Sequence, residues 1–287
     1  MALAAISHQN DLLIPPSAPR RWAFQAMKNE AQAGYLLENY EPITLTEMDG
    51  VSLMRRVDTK FVLHVAQLFN ALSGLQEHYR VLQVAGHRIN NYHNLYFDTP
   101  EFKLYHQHHN GSGNRYKVRL RQYVDSATTF LEVKRKDNRG QTIKQRMQTA
   151  DSIHALDSTQ LAFLKKSYPY DARKLHPMIS NDFMRITMVS KTSIERLTLD
   201  INLRNSKDWQ QTSLPYLAIA EVKQAHFSLA STFMQQMRDM NIAPQRFSKY
   251  CLGITELYPQ IKQNRFKPRN LMVERIMEQG VKYGYAG

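Results

Sequence analysis

The sequence predicts an α+β fold in which about eight antiparallel strands close into a barrel, with helices packed on its outside. The first observation is that many short segments alternate apolar and charged residues with a period of two, as half-buried strands do. The second is that the charged faces of these segments consist mostly of Lys and Arg. Because residues of a barrel strand alternate between inside and outside, closing the sheet would gather these cations in a basic channel.

The alternation is clearest between residues 115 and 146, where the turn-like sequences VDSA and DNRG separate three segments. Their polar faces carry, in order, Lys117, Arg119, Arg121 and Tyr123, then Glu132, Lys134 and Lys136, then Thr142, Lys144 and Arg146. A solvated sheet face is the alternative interpretation, since ordinary antiparallel sheets also alternate. Like charges on adjacent strands destabilise a sheet, however, so the excess of cations favours a polyanionic partner. Arg offers paired hydrogen bonds to phosphate, and Lys offers a point charge.

Ahead of this stretch, apolar periodicity and turn residues predict strands at residues 54–64, 79–84 and 90–99. The polar face of the first strand carries Arg56, Asp58 and Lys60. Helical spacing predicts a short helix within 22–40, a helical turn at 44–49 and helices at 65–79 and 101–109. Thr44 and Glu47 have the spacing of a capping box, and Pro100 suits the first turn of its helix.

After the stretch, we expect helices at residues 151–169 and 227–241 and a further helix in the basic tail at 270–280. Strands are predicted at 182–190, 193–203 and 216–224. Arg185 lies on the first of these strands. The second alternates Arg196, Thr198 and Asp200 against leucines and an isoleucine, and the third places Glu221 and Lys223 on one face. We therefore divide the chain into an N-terminal extension (1–40), a main domain (41–258) and a basic tail (259–287).

Composition also points to an anionic partner. The chain has 287 residues and a formal net charge of +13, which suits nucleic acid, a membrane surface or a phosphate-rich ligand. The single cysteine, Cys251, excludes an intrachain disulfide and fits a packed thiol in a reducing compartment. No apolar run is long enough for a spanning helix, and the N-terminus lacks the pattern of a signal peptide. We expect a cytoplasmic protein.

Eight motifs together resemble the catalytic domain of the vacuolar transporter chaperone (VTC) family. In chain order they are RVDTKFVL, YFDTPEF, RYKVRLRQY, LEVKRK, TIKQR, IERLTLD, AEVK and FSKYCLG. The resemblance covers roughly residues 41 to 257 and rests on the order of the motifs, since each motif is weak by itself. It implies a triphosphate tunnel metalloenzyme that transfers the terminal phosphate of ATP to growing inorganic polyphosphate, with Mn²⁺ or Mg²⁺. The sensor domain and the membrane part of eukaryotic members have no counterpart here, so a membrane-protein partner would be a separate chain.

The resemblance also implies roles for individual residues. The superfamily has an E-x-E-x-K motif in its first strand, where this chain has Arg56, Asp58 and Lys60. The residues expected to act in catalysis are Lys60, Arg119, Arg121, Lys134 and Lys249. Those expected to bind phosphate are Arg56, Lys144, Arg146, Arg185, Arg196 and Lys223. Glu221 is the expected metal ligand, with Glu132 as a second candidate.

Structural roles compete with these expectations. Glu221 could instead form an ion pair with Lys223, and Glu132 and Asp58 could simply balance charge. We interpret Asp200 as structural, and the histidines of YHQHHNG as surface or packing residues.

Three functions stay open from the sequence. A polymerase is favoured over a tunnel triphosphatase, because the predicted inner wall has few carboxylates to orient a water molecule. A polyphosphate-binding module without catalysis is the third possibility. Nucleic acid is a poor fit, because only Tyr116 and Tyr123 could stack on bases near the core stretch.

Overall fold

The structure is a computed structural model that describes residues 20–49, 56–139, 141–150 and 156–283. The first residues of the strand predicted at 54–64 lie outside the described residues. So does the start of the helix predicted at 151–169. None of the described helices combines the length and apolar composition that a membrane crossing needs.

The described residues form helices and strands mixed along the chain. The helices are α1 (Arg20–Glu38), α2 (Leu45–Asp49), α3 (Val65–Ser73), α4 (Lys103–Asn110), α5 (Ser158–Ser167), α6 (Thr232–Asp239), α7 (Lys249–Leu257) and α8 (Lys267–Tyr283). The strands are β1 (Pro42–Ile43), β2 (Val57–His64), β3 (Tyr79–Leu82), β4 (Asn90–Asp98), β5 (Arg115–Tyr123), β6 (Thr128–Lys136), β7 (Thr142–Thr149), β8 (His176–Ser190), β9 (Glu195–Lys207), β10 (Gln210–Leu214) and β11 (Leu217–Gln224). The predicted α+β class is therefore confirmed.

One sheet contains all eleven strands, in the main order β2-β11-β9-β8-β4-β5-β6-β7. Every neighbouring pair along this order is antiparallel. The backbone hydrogen bonds do not close this order into the predicted barrel, because among the described residues β2 and β7 are its two free ends. The carbonyl of Lys60 on β2 accepts a hydrogen bond from the Gln245 N–H at 2.7 Å. A loop, rather than β7, therefore borders β2 at this point.

Strand register gives the sheet one continuous polar face. Directly opposed residues point to the same side of an antiparallel pair, and the register opposes Glu221 to Lys60 and Arg185 to Asp200. On the other half of the sheet it opposes Arg119 to Glu132. The alternation seen in the sequence thus continues from strand to strand, and the cations share a face as predicted.

Apolar clusters cover the opposite face with helices. Leucines and valines of β9 and β11 pack against α3 and α6, and those of β5 and β6 pack against α4 and α5. Helices α7 and α8 instead pack on the polar side, where α7 contacts Tyr96 of β4 and Ile179 of β8. Gly253 permits this close approach, since a Cβ there would lie 2.7 Å from Ile179 Cδ1 and 2.9 Å from Asn205 Oδ1. The interior is therefore filled at one end by α7.

Helix boundaries depart from the predictions where side chains supply caps. Helix α4 begins at Lys103 rather than near Pro100, because Phe102 is left-handed (φ 57°) and the Asp98 carboxylate accepts hydrogen bonds from the Leu104 and Tyr105 N–H groups. Helix α6 begins only after Ser231, whose hydroxyl caps Met234 N. The capping box predicted from Thr44 and Glu47 is present. The Thr44 N–H donates to the Glu47 carboxylate, and the Glu47 N–H donates to the Thr44 hydroxyl.

Candidate functional site

The inner face of the sheet carries many more cations than carboxylates. Its cations are Lys60, Lys117, Arg119, Arg121, Lys134, Lys144, Arg146, Arg185, Arg196 and Lys223, joined by Lys249 from the start of α7. Its carboxylates are Asp58, Glu132, Asp200 and Glu221. All the catalytic, phosphate-binding and metal residues predicted from the sequence lie on this face or at its edge.

Glu221 lies between two lysines. Its Oε1 atom is 2.9 Å from Lys60 Nζ and 3.2 Å from Lys223 Nζ. Burial alone would raise the pKa of Glu221, but the charges of Lys223 and Lys60 outweigh it and hold the pKa well below its usual value. The ion pair with Lys223 that competed with a metal role is thus present, and Lys60 shares it.

Glu132 is held in the same way on the other half of the sheet. Arg119 donates from Nε (2.9 Å) and Nη2 (2.7 Å) to Glu132 Oε2, and Lys144 forms a short ion pair with Oε1. The side chain is almost completely buried. Burial would raise its pKa, but Arg119, Arg121 and Lys144 lower it to about 2. Glu132 is therefore a buried anion that fixes its cationic neighbours.

Asp200 forms the third such cluster. Arg185 binds both of its oxygens, at 2.6 and 2.8 Å, and Lys249 forms a short ion pair with Oδ2. These two cations lower its pKa against the opposing effect of burial. The structural role predicted for Asp200 is compatible with these contacts, which join Arg185, a predicted phosphate ligand, to Lys249, a predicted catalytic residue. The position of Asp200 on the inner face could be predicted from the sequence, because it continues the alternation of Arg196 and Thr198. Its ion-pair partners could not.

Other cations on the inner face have no carboxylate partner in the described part of the chain. Arg121 is 8% exposed and donates from Nε to the Asn94 side-chain oxygen at 2.8 Å. Arg196 has a buried Nε without a hydrogen-bond acceptor among the described residues. Burial is the largest effect on the pKa of Arg121, Arg196 and Lys134, and it lowers all three. These groups are the ones best placed to receive an anion.

The two halves of the sheet face each other across this cluster of charges. Burial lowers the pKa of Lys134 on β6 to about 8, while Glu221 of β11 opposes the shift and Lys60 of β2 adds to it. Gln245 bonds to Lys60 on β2, and Ser248, three residues later, bonds to Lys117 on β5, so the sheet curls to bring these distant strands together. The Lys134 side chain keeps an exposed surface, so the burial that lowers its pKa comes from the protein atoms around it and not from complete loss of contact with water. The cations of both halves therefore share the concave face of this curled sheet, and we call the space that this face borders the channel.

Three predicted phosphate ligands lie at the margin of the channel. Arg56 precedes β2 and forms a 3.0 Å ion pair with Asp58. Lys144 and Arg146 are exposed on the edge strand β7, and the Arg146 guanidinium lies 4.6 Å from the centre of the Phe130 ring. Arg56 and Arg146 are therefore less enclosed than the pairs around Glu221, Glu132 and Asp200, whereas Lys144 contacts Glu132 from the edge of the sheet.

Two residues of the inner wall were not among the expected site residues. Lys117 donates to the Ser248 hydroxyl at 2.8 Å, and it precedes Arg119 on the same face by two residues. Tyr96 accepts a hydrogen bond from Arg119 at 3.2 Å. Burial would raise the Tyr96 pKa, but Arg119, Arg121 and Lys117 lower it to about 8. Alternation could have identified Lys117, whereas Tyr96 required the register of β4 against β5.

The carboxylates are spread out rather than gathered into a metal cage. Among the described residues, no group of three or more His, Cys, Asp or Glu side chains is arranged to hold a metal ion. Within the same residues, both lysines bound to Glu221 contact its Oε1 atom. A hard cation needs only one or two carboxylates when substrate phosphates supply other ligands. Glu221 therefore fits a metal that arrives together with phosphate.

Three of the solved structures that align with this chain have low sequence identity to it. An adenylate cyclase candidate from Bacillus halodurans is 14% identical, with 71% of this chain and 97% of that chain covered and a TM-score of 0.44. An adenylyl cyclase candidate from Hippeastrum, described as having a dominant triphosphatase activity, is 16% identical (70% and 96% covered, TM-score 0.45). A protein from Pyrococcus horikoshii is 11% identical (70% and 99% covered, TM-score 0.42). With these TM-scores the backbones overlap only in part.

No curated protein matches the sequence. The model of the VTC domain matches residues 55–258, which is well over half of the chain. This range contains nearly all of the inner-face residues, including the three cation-bound carboxylates. It ends where the motif resemblance ends, at about residue 257, but begins at residue 55 and not at 41. The chain therefore belongs to the VTC domain family.

Proposed function

We propose that this protein is a polyphosphate polymerase, which transfers the terminal phosphate of ATP to a growing inorganic polyphosphate chain inside the basic channel. The observation that carries the proposal is the continuous inner face on which cations outnumber carboxylates. Glu221, Glu132 and Asp200 each pair with two of these cations. In the described residues this leaves five inner-face cations without a carboxylate: Lys117, Arg121, Lys134, Arg146 and Arg196. A chain of phosphates would supply the missing negative charge.

The length of the cationic surface supports a polymer rather than a single triphosphate. Arg115, Lys117, Arg119 and Arg121 occupy alternate positions of β5 and point to one side. At about 3.4 Å per residue, this row spans roughly 20 Å. Three phosphates joined by two bridging oxygens are much shorter than that. The remaining cations would contact phosphates further along a chain.

The chemistry of transfer suits the ion-paired carboxylates. In this reaction an oxygen of the terminal phosphate of the chain bonds to the γ-phosphorus of ATP. The bond from that phosphorus to the β–γ bridging oxygen breaks, and ADP leaves. The attacking oxygen is already anionic, so no base has to remove a proton, whereas hydrolysis requires a positioned water. Glu132 and Asp200, each held by two cations, would maintain the positions of those cations rather than activate water.

Cations would carry out most of the catalysis. Phosphoryl transfer depends on positioning and on stabilising charge that spreads over the transferring group. Arg121 and Lys134 would bind phosphate first, because no carboxylate occupies them in the described structure. Lys60, Arg119 and Lys249 would bind phosphate next, because phosphate oxygens would compete with the carboxylates to which these cations are paired. Arg119 and Arg121 lie on alternate positions of one strand, so they could bind neighbouring phosphates.

Glu221 would hold Mn²⁺ or Mg²⁺ together with substrate phosphates. When bound, a divalent ion neutralises part of the phosphate charge and orients the phosphate oxygens. Lys60 and Lys223 would keep the Glu221 carboxylate in place and ionised at neutral pH. Glu132 is less suited to a metal, because two cations already contact its two oxygens.

The test is incubation of the purified protein with ATP and Mn²⁺, followed by gel separation of the products. We expect long phosphate chains and one ADP for each phosphate incorporated. Arg121→Gln should abolish the product, whereas Lys165→Gln, on the exposed surface of α5, should not change it. Release of orthophosphate alone would replace the proposal with a tunnel triphosphatase. Binding of tripolyphosphate without any turnover would identify a binding module.

A further inference from the structure

A short segment of the chain crosses one mouth of the channel. The Gln245 N–H donates to the carbonyl of Lys60 on β2 at 2.7 Å. Three residues later the Ser248 hydroxyl accepts a hydrogen bond from Lys117 on β5 at 2.8 Å. Ser248 also caps α7 by accepting from Cys251 N. Residues 245–248, which we call the strap, therefore connect the two walls of the curled sheet just before α7 enters the interior.

The strap carries an exposed arginine, Arg246. Arg115 and Lys136 lie directly opposite each other at the ends of β5 and β6, on the same face as Lys117 and Lys134. In the part of the chain that the structure describes, Arg246, Arg115 and Lys136 form no ion pair with a carboxylate. Arg115 donates instead to the backbone carbonyl of Ser112 at 2.9 Å. The three cations therefore lie beyond the ion-paired region, with their charge uncompensated.

The charges of these three residues repel one another. Burial is the largest effect that lowers the pKa of Lys136, and repulsion from Arg115 and Arg246 adds to it. The pKa of Arg115 is lowered in the same way, by burial and then by Arg246. Gathering like charges without counter-ions is unfavourable in the free protein. A polyanion that passes this mouth would relieve the repulsion.

We propose that Arg115, Lys136 and Arg246 form a second binding site for phosphate units at this mouth, one that takes a polyphosphate chain after it leaves the catalytic region. This inference deepens the proposed function and rests on it, because it assumes a phosphate chain in the channel. The site distinguishes long chains from short ones. Arg115 and Arg121 are six residues apart on β5, about 20 Å at 3.4 Å per residue. A triphosphate bound at Arg121 therefore does not extend to Arg115, whereas a longer chain contacts both residues. Retention of the product at the strap keeps the growing chain in place for the next transfer.

The test is binding, measured without turnover, of tripolyphosphate and of polyphosphate with several tens of units. The test variant carries Arg246→Gln and Lys136→Gln. Its control carries Lys165→Gln and Lys166→Gln, which remove the same charge from the exposed surface of α5. For the test variant we expect unchanged affinity for tripolyphosphate and roughly tenfold weaker affinity for long chains. The affinity for long chains should also depend less on salt, because two fewer cations release counter-ions. The slope of log affinity against log salt concentration should be smaller in magnitude by about two.

Each other outcome overturns the proposal. Equal weakening for both ligands would mean that these residues belong to the catalytic site or maintain its structure. An equal loss of affinity for long chains in the Lys165 and Lys166 control would mean that the effect comes from the net charge of the protein and not from the strap. If the unmodified protein binds tripolyphosphate and long polyphosphate with equal affinity, the proposal of a second site at the strap is wrong, whereas a triphosphate site remains supported. If the unmodified protein binds neither ligand, the proposed function fails as well.

Discussion

Glu221 is the residue whose replacement best separates catalysis from binding. Its carboxylate fits a metal ligand, and it also neutralises Lys60 and Lys223 at 2.9 and 3.2 Å. For Glu221→Gln we expect turnover to fall by about a hundredfold, the upper part of the range for a lost metal-site interaction. Affinity for tripolyphosphate without metal should stay equal or rise, because two lysines lose their counter-ion. Steady-state kinetics and calorimetric titration measure the two quantities.

The matched control for this change is Glu274→Gln on the exposed side of α8, which removes the same charge away from the channel. It should change neither quantity. A Glu221→Gln protein that retains full turnover with Mn²⁺ would remove Glu221 from the metal site. One that loses metal-free affinity would show that its carboxylate is needed to maintain the fold of the channel.

Lys134 and Lys223 predict how binding depends on pH. Burial is the main cause that lowers the pKa of each to about 8, and only the protonated form attracts phosphate. Affinity for tripolyphosphate should therefore fall above pH 8, by up to about tenfold per pH unit for each lysine. Tyr96, with a pKa lowered to about 8 by neighbouring cations against burial, acts in the same direction when it ionises. Lys134→Gln should make the profile less steep, and an unchanged profile would exclude Lys134 from the binding site.

The same lysines have the opposite effect on stability. Their pKa is lower in the folded protein than the roughly 10.4 of an unfolded chain. Between about pH 8 and 10.4 the unfolded chain therefore binds more protons, and these two groups make the free energy of unfolding rise with pH. Urea denaturation of the ligand-free protein should show a smaller rise in Lys134→Gln. Stability and affinity for phosphate thus change in opposite directions over this range.

At the scale of elements, one buried carboxylate positions α7. Asp98 accepts hydrogen bonds from the N–H groups of Thr99, Leu104 and Tyr105 at 2.7 to 2.8 Å and from the Tyr250 hydroxyl at 2.5 Å. It thereby joins the end of β4, the start of α4 and the first turn of α7. Tyr250 follows Lys249, which contacts Asp200 in the channel. The position of Lys249 therefore depends on a hydrogen bond outside the channel.

Tyr250→Phe tests this dependence. Loss of a buried hydrogen bond to a carboxylate should lower the free energy of unfolding by about 2 kcal/mol. Because Lys249 would be held less firmly, the KM for ATP should rise several-fold. Tyr258→Phe is the comparison, since its hydroxyl donates to the Met178 carbonyl at 3.0 Å at the other end of α7. It should cost about 1 kcal/mol and leave KM unchanged. Equal KM values in the two variants would contradict a positioning role for Tyr250.

At the scale of the whole molecule, the alternation of apolar and charged residues predicts most of the strands and the face that their cations share. It placed Arg119 and Lys134 on one face because a strand has a fixed period of two. The role of Asp200 could not be read in this way, since its partners come from β8 and α7 and depend on register. The hydrogen bonds of the described strands do not confirm the predicted closure, and the reason is similar. Whether β2 meets β7 or a loop depends on where residues 245–248 run, and no local pattern encodes that path.

The charge of the whole channel predicts how the protein responds to metal. Cations exceed carboxylates on the inner face, and the described residues contain no cluster of metal ligands, so a free divalent ion is repelled. Mn²⁺ alone should leave the unfolding temperature unchanged. Tripolyphosphate should raise it, and the two together should raise it further, because the ion then binds Glu221 and phosphate at once. At a hundred times its dissociation constant a ligand adds about 2.7 kcal/mol, which corresponds to several °C. A full shift with Mn²⁺ alone would point to a preformed metal site and against recruitment of the ion with its phosphate.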